Sequence, residues 1–263
     1  MILQDKVAVI YGAGGAIGGA VARAFASEGA KVFLTGRRRA SVEAVAKDIV
    51  SAGGFAEAVE VDAVDEKAVD KHLQATIDKA GRIDISFNGI GVAAEKILGI
   101  PLLELDAGRF SLPFITDTMS YFLTARAAAQ RMVANKSGVI MTISALPART
   151  GSRLNGGYGS ASAAKEALTR DLSAELAPHG IRVVNLRPHG MPETNTMEKI
   201  FDIKGKTMGM TWDQFQGFLA NTTHPRRVMV LAEMANVAAF MASDKASGMT
   251  GTTVNLTMGS LDD

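Results

Sequence analysis

The sequence predicts a doubly wound α/β fold of the Rossmann type, about seven parallel strands flanked by helices, in a single domain over residues 1–263. Three observations carry this expectation. Short apolar runs alternate with helical stretches along the whole chain. Runs such as VAVIY and KVFLT are apolar almost throughout, and the first leads straight into Gly12-Ala13-Gly14-Gly15-Ala16-Ile17-Gly18-Gly19. Strands separated by helices need crossover connections, which give a parallel sheet covered on both faces. Strands buried on both faces lose the polar alternation of a half-exposed sheet.

Each element has its own signal. Val7 to Tyr11 reads as the first buried strand and Ile17 to Ser27 as an Ala-rich helix closed by Gly29. Lys31 to Thr35, Ser41 to Ser51 and the Gly53-Gly54 turn repeat the cycle. So do Phe55 to Val61, Asp65 to Ala80 and Asp84 to Phe87. A long helix over Gly108 to Ala134 precedes the strand Gly138 to Ile143, and a second over Tyr158 to Ala177 precedes Ile181 to Leu186. The helix Leu231 to Ser243 leads into a last strand near Thr253 to Leu256. That makes six main helices, with no internal repeat. Residues 190–227 break the rhythm: they are weakly periodic and Met-rich, with Trp212, Phe215 and Phe218. They follow the sixth strand, on the side where open α/β sheets bind ligands, so a cover over an apolar pocket is expected.

Composition narrows the function classes. With 28 Lys+Arg against 27 Asp+Glu the charge is nearly balanced, and no field favours nucleic acid or an anionic membrane. Zero cysteine excludes disulfides, thiolate nucleophiles and Cys-ligated metals. The opening residues MILQDKVAVIYG lack a basic segment followed by a long apolar one, so the expected compartment is the cytoplasm. No apolar run approaches the ~18 residues of a membrane span. Glycine is in surplus: 27 residues, where the usual ~7% would give roughly 18.

Much of that surplus lies at strand ends. Gly12, Gly14, Gly15 and Gly18, with Ala16 and Ile17, let the backbone turn tightly so that a pyrophosphate can approach a helix N-terminus. After the second strand, where an NAD-binding chain places Asp or Glu on the ribose, stand Gly36, Arg37, Arg38 and Arg39. Arginine grips a 2′-phosphate bidentately, so NADP is the expected cofactor.

From these residues onward the chain resembles the short-chain dehydrogenase/reductase family. The family's loop T-G-x-x-x-G-x-G is matched at Gly12 and Gly18, with Tyr11 for the Thr and Ala16 for the middle Gly. Val61-Asp62 resembles the adenine-contacting Asp, and Asn88-Gly89-Ile90-Gly91 stands where N-N-A-G is usual. Residues 174–183, AELAPHGIRV, closely match the segment into the sixth strand. Pro188-His189-Gly190 with Thr194 resembles the nicotinamide-side loop, and Thr250-Gly251 the T-G before the last strand. The resemblance implies cofactor contacts from Gly12, Gly14, Gly15, Ala16, Ile17, Gly18, Arg37, Arg38, Asp62, Asn88, Lys165, Pro188 and Thr194.

The catalytic segment departs from the family. Most members carry Tyr-x-x-x-Lys, with a Ser about thirteen residues before the Tyr; the Lys holds the nicotinamide ribose and lowers the Tyr pKa. Set on Lys165 by the following Glu166-Ala167-Leu168-Thr169-Arg170, that pattern puts Ala161 at the Tyr position. The nearby tyrosine is Tyr158, seven residues before Lys165. Seven residues turn a helix by about 700°, so the two share a face about 10 Å apart. This Tyr-x6-Lys spacing is similar to the enoyl-acyl-carrier-protein reductase branch. Ser144, at the end of the fifth strand, is the candidate serine, and Asp117 stands for the family's helix-four Asn.

The expected catalytic set is therefore Tyr158, Lys165 and Ser144, with hydride passing between NADP(H) and a carbonyl or alcohol of a small or medium apolar substrate. Enoyl-type C=C reduction is one alternative; a degenerate dinucleotide-binding sensor or scaffold is another. Competing signals are weaker. Ser162-Ala163-Ala164-Lys165 is an S-x-x-K without its K-T-G and S-D-N companions. His72, His179, His189 and His224 are scattered, so no metal site is expected. The resemblance also implies a homo-oligomer packed through helices 108–134 and 158–177, whose small-residue faces (Ala125, Ala127, Ala128, Ala129; Ala161, Ala163, Ala164) would allow close approach.

Overall fold

A computed structural model describes residues 1–262. The sheet has seven parallel strands in the order β3-β2-β1-β4-β5-β6-β7: β1 Val7–Tyr11, β2 Lys31–Gly36, β3 Phe55–Glu60, β4 Ile85–Asn88, β5 Gly138–Ile143, β6 Ile181–Pro188 and β7 Thr252–Leu256. β1 pairs with β2 from Val7↔Lys31 to Tyr11↔Thr35, and with β4 from Ala8↔Ile85 to Tyr11↔Asn88. Strand order therefore reverses between β1 and β4, and the crevice at their carboxyl ends is where such sheets bind ligands.

The two-residue period of a strand sends its side chains into two separate cores. From β1, Ala8 and Ile10 join Val21 and Phe25 of helix α1 (Ala16–Ser27) and Met234 and Ala238 of the last helix, Leu231–Ala242. Val9 and Tyr11 join Val69 and Leu73 of the helix Glu66–Ala80, and Tyr121, Ala125 and Ala128 of the helix Met119–Asn135, on the opposite face. The helix Arg39–Ser51 covers β2 and β3 on the first face, burying Val42, Val45 and Ile49. In chain order these helices are α1, α2 (Arg39–Ser51) and α3 (Glu66–Ala80), then α4 (Ala107–Pro113), α5 (Met119–Asn135), α6 (Tyr158–Leu176), α7 (Asn195–Ile200), α8 (Trp212–Asn221) and α9 (Leu231–Ala242).

Two regions differ from the sequence expectation. The single long helix expected over Gly108 to Ala134 contains a π-helical turn, Phe114–Thr118, between α4 and α5, just after Pro113. Proline supplies no N–H, so the regular ladder is interrupted there. Residues 190–227, expected to be irregular, form α7, a second π-helical turn (Phe201–Gly205) and α8. α8 starts with a reciprocal cap: Thr211 Oγ1 accepts from the Gln214 N–H and Gln214 Oε1 accepts from the Thr211 N–H. Periodicity was hard to read because these helices are short and share a small aromatic cluster of Phe201, Trp212 and Phe215. No helix among the described residues is long and apolar enough to cross a membrane.

Candidate active site

The crevice at the switch point is a cleft of about 260 Å3 bounded by Gly12, Gly14, Gly15, Arg37, Arg38, Asp62 and Gly89, among others. Glycine is dictated by contact as well as by turning. Gly12 has φ +75°, and a Cβ at Gly18 would lie 2.3 Å from the Gly12 carbonyl oxygen. α1 begins at Ala16, behind Gly15, with no side-chain cap and no acidic residue in its first turn. Its free N–H groups and positive dipole end therefore face the cleft, a setting that suits phosphate.

The three arginines after β2 separate into two kinds. Arg39 donates to Glu43 at 2.7 Å. Arg37 and Arg38 are exposed and line the cleft, and neither has a carboxylate partner among the described residues. Asp62 also lines the cleft, with Oδ1 accepting from the Val64 N–H. Asn88 is buried at the end of β4: its Nδ2 donates to Thr124 Oγ1 at 3.0 Å and its Oδ1 accepts from the Ile90 N–H. Pro188 closes β6, and the Thr194 hydroxyl caps α7 by accepting from the Met197 N–H while donating to the Met191 carbonyl. His189 is buried, and its Nε2 lies 3.0 Å from Thr222 Oγ1 at the end of α8, a tie between the loop after β6 and residues 190–227.

The three expected catalytic residues sit in adjoining but distinct networks. Tyr158 is the first residue of α6, half-buried against Val92, Ile97, Leu98, Leu112, Ile200 and Ile203. Burial pushes its phenol well above the ordinary range, and the Asp117 carboxylate adds to the rise; Ser162, one turn on, favours the ionised form. Lys165 is fully buried and donates to the Ile143 carbonyl at the end of β5. Burial lowers its pKa, while Asp117 and Glu166 support its charge. No hydrogen bond joins Tyr158 to Lys165 among the described residues.

The Ser144 hydroxyl is taken up by buried polar neighbours: it donates to Glu166 Oε1 at 2.8 Å and accepts from Asn185 Nδ2 at 2.8 Å. Glu166 in turn is gripped by Arg187 of β6. Asp117, on the π-helical turn, is 1% exposed, and its Oδ1 has no hydrogen-bond partner among the described residues. Burial raises its pKa to about 6, against the opposing charge of Lys165 and the Val92 N–H.

Above Tyr158, Ile200 and Ile203 of the 190–227 segment pack on Ile97 and Leu98 of the loop after β4. Lys204 fastens the same turn by donating to Asn155 Oδ1 at 3.2 Å and Ser152 Oγ at 3.4 Å.

A family model described as enoyl-(acyl carrier protein) reductase matches residues 12–260. The chain belongs to the short-chain dehydrogenase/reductase family. Members of this family are oxidoreductases that use a nicotinamide dinucleotide. The chain is 33% identical to an uncharacterized oxidoreductase, YxbG, of Bacillus subtilis over 95% of this chain and 88% of the relative. It is similar in structure to a short-chain type dehydrogenase/reductase from Mycobacterium marinum, with a TM-score of 0.88 and 27% identity over 99% of this chain and 97% of that one. It is also similar to a 7α-hydroxysteroid dehydrogenase complexed with NADH and 7-oxo glycochenodeoxycholic acid, with a TM-score of 0.87 and 26% identity over 99% and 96% of the two chains.

Set on Tyr158 instead of Lys165, the short-chain dehydrogenase/reductase pattern Tyr-x-x-x-Lys puts Ser162 at the Lys position. The residue thirteen before Tyr158 is then Ala145. Ser162 lies one turn beyond Tyr158 on α6. The buried Glu166–Arg187 pair escaped the sequence reading altogether. Its signal was Arg187, near the end of the strand IRVVNLRP inside the sheet, since a charge on a buried strand requires a partner.

Proposed function

We propose that the chain is an NADP(H)-dependent oxidoreductase acting on a carbonyl or alcohol of a small or medium apolar substrate, cytoplasmic and homo-oligomeric. The carrying observation is the pair Arg37 and Arg38, exposed on the cleft without carboxylate partners beside the uncapped N-terminus of α1. The residues present suit a dinucleotide: Gly12, Gly14, Gly15, Ala16, Ile17 and Gly18 would carry its pyrophosphate, and Arg37 and Arg38 its 2′-phosphate. Asp62 would meet the adenine, and Asn88, Lys165, Pro188 and Thr194 the nicotinamide half. When bound, that cofactor supplies or accepts the hydride.

Within this reading, Tyr158 gives a proton or hydrogen bond to the substrate oxygen. Lys165, bonded to the Ile143 carbonyl, supplies the buried positive charge of the site. Ser144 acts on the floor of the site by orienting Glu166 and Asn185. Residues 190–227 cover the substrate, and the aliphatic wall of Val92, Ile97, Leu98, Ile200 and Ile203 around Tyr158 favours an apolar one.

Enoyl-type C=C reduction is favoured by the Tyr158/Lys165 spacing and by the description of the matching family model. A dinucleotide-binding sensor is favoured by Ser162 and Ala145 at the family's Lys and Ser positions. A panel of paired ketones and enones, assayed with NADPH and with NADH, separates these readings. Ketone turnover with a lower KM for NADPH is expected. An NADH preference would overturn the cofactor assignment, enone-only turnover would select the enoyl reading, and tight NADPH binding without turnover the sensor.

A further inference from the structure

Lys204 is a half-buried ammonium with no carboxylate partner among the described residues. The carboxylate of its own π-helical turn, Asp202, is held by Lys206 at 2.8 Å. Lys204 donates instead to two neutral oxygens of the loop before α6, Asn155 Oδ1 at 3.2 Å and Ser152 Oγ at 3.4 Å. An ammonium has three N–H groups, so one is left over. Burial disfavours its charge and lowers its pKa. The same asparagine is incomplete on its other side: Asn155 Nδ2 is buried and has no hydrogen-bond partner among the described residues. Oδ1 and Nδ2 share one amide carbon, so the orphaned N–H and the ammonium stand within reach of a single anionic group. Donors buried without an acceptor are costly, and here two of them neighbour each other.

The loop holds Asn155 firmly. Leu154 takes φ +58°, a left-handed conformation that leucine adopts only at a cost, and its carbonyl accepts from the Gly99 N–H at 3.0 Å. The Asn155 carbonyl accepts from the Tyr158 N–H at 3.2 Å, which ties the asparagine to the first residue of α6. Ile203 of the Lys204 turn, and Ile200 just before that turn, pack in one apolar cluster with Ile97, Leu98 and Tyr158.

We propose that Lys204 and Asn155 form a subsite for a carboxylate of the substrate, so that the chain acts on oxo or hydroxy acids with an aliphatic body. The proposal rests on the oxidoreductase reading above and adds a second anchor to it. The ammonium gives a charge-assisted hydrogen bond and the Asn155 N–H another, and the two oxygens of one carboxylate can accept both. The aliphatic wall receives the body of the molecule, and its carbonyl or alcohol lies toward Tyr158. A neutral group of the same shape leaves the ammonium without a counter-charge, so the gain is confined to anions.

The test is the binding of octanoate and of octanamide to the full chain, measured by calorimetry with and without NADP, and it needs no turnover. Octanoate is expected to bind about tenfold tighter than octanamide, the equivalent of one charge-assisted hydrogen bond. Lys204→Met should bring the two affinities together, and Lys204→Arg should keep most of the difference. Asn155→Asp separates a subsite from a mere fastening. It keeps an acceptor for Lys204, so the turn stays tied down, but it fills the subsite with the chain's own carboxylate and removes the orphaned N–H. The octanoate preference should vanish in Asn155→Asp while proteolysis within residues 199–210 stays as slow as in the parent. Equal affinities in the parent, no binding of either compound, or a preference that survives in either Lys204→Met or Asn155→Asp would overturn the proposal. Faster proteolysis of Asn155→Asp alongside the loss would mark the pair as a fastening alone and overturn it as well. Octanoate preference without turnover of any ketone with NADPH would count against the oxidoreductase reading instead.

Discussion

Glu166 grips Arg187 through two parallel hydrogen bonds, Nε to Oε1 at 2.8 Å and Nη2 to Oε2 at 2.9 Å, with both side chains at most 5% exposed. A buried charge is tolerated only while its partner remains, and removing one side strands the other. Arg187→Met is therefore expected to lower the unfolding free energy by about 3–5 kcal/mol. The double change Glu166→Gln/Arg187→Met should cost less than the sum of the two single changes. Denaturant unfolding of the full cycle measures the coupling, and strict additivity would show that the two groups do not depend on each other.

Cofactor choice should follow the two unpaired arginines. Arg37→Ser and Arg38→Ser are each expected to raise KM for NADPH by about tenfold, the equivalent of one lost charge-assisted hydrogen bond. KM for NADH should hardly move. Arg39→Ser is the control, because Arg39 is already engaged by Glu43. An equal loss in all three variants would point to a general effect of positive charge instead of a specific grip.

His72 gives the fold an acid-sensitive element. It is 5% exposed, its Nε2 has no partner among the described residues, and burial pushes its pKa down to about 4. The unfolded chain takes up this proton near the ordinary 6.5, and the folded chain only near 4, so stability falls as pH drops through that window. The loss at full protonation is about 3 kcal/mol. Asp117, pushed up to about 6, has the opposite slope, because the folded chain holds its proton over a range where the unfolded chain has lost it. Thermal melts between pH 4 and 7 should show a flatter acid limb in His72→Gln than in the parent. An identical limb would mean that His72 does not stay neutral in the fold.

The turn carrying Lys204 should loosen in Lys204→Met. Two hydrogen bonds to Asn155 and Ser152 are lost, worth on the order of 1 kcal/mol together. Limited proteolysis within residues 199–210 is expected to speed up by roughly fivefold. No acceleration would show that Ile200 and Ile203 alone hold the segment down.

The sheet and its ligand crevice were legible because VAVIY, KVFLT and GVIMTI carry their burial in composition, and because Gly12 to Gly18 can serve few purposes between a strand and a helix. The split among the three arginines was not legible, since it depends on Glu43 lying one turn beyond Arg39 on a helix whose start had to be known first. The floor of the site was hidden for a related reason. Tyr158 and Lys165 do share a face of α6, as their spacing implies, but periodicity cannot tell which way a long lysine side chain bends. It reaches the backbone carbonyl of Ile143 at the end of β5. Ser144 likewise stands at the expected strand end, yet Glu166 and Asn185 draw its hydroxyl inward. Strand patterning locates backbone, whereas hydroxyl direction follows whichever buried partner lacks a bond.

The π-helical turn at Phe114–Thr118 amounts to one surplus residue absorbed without breaking the helix. Each residue advances a helix by about 100°. The two ends of the stretch are therefore phased independently: Ile115 and Thr116 line the cleft, while Tyr121, Ala125 and Ala128 fill the core behind it. Deleting a single residue here would be a rotation more than a shortening. α5 would keep its place on the sheet, and everything upstream would swing by more than a quarter-turn, carrying Asp117 off α6 and the Phe110 carbonyl off its close approach to Gly157. In this part of the chain, length changes of one residue should be far more disruptive than most substitutions.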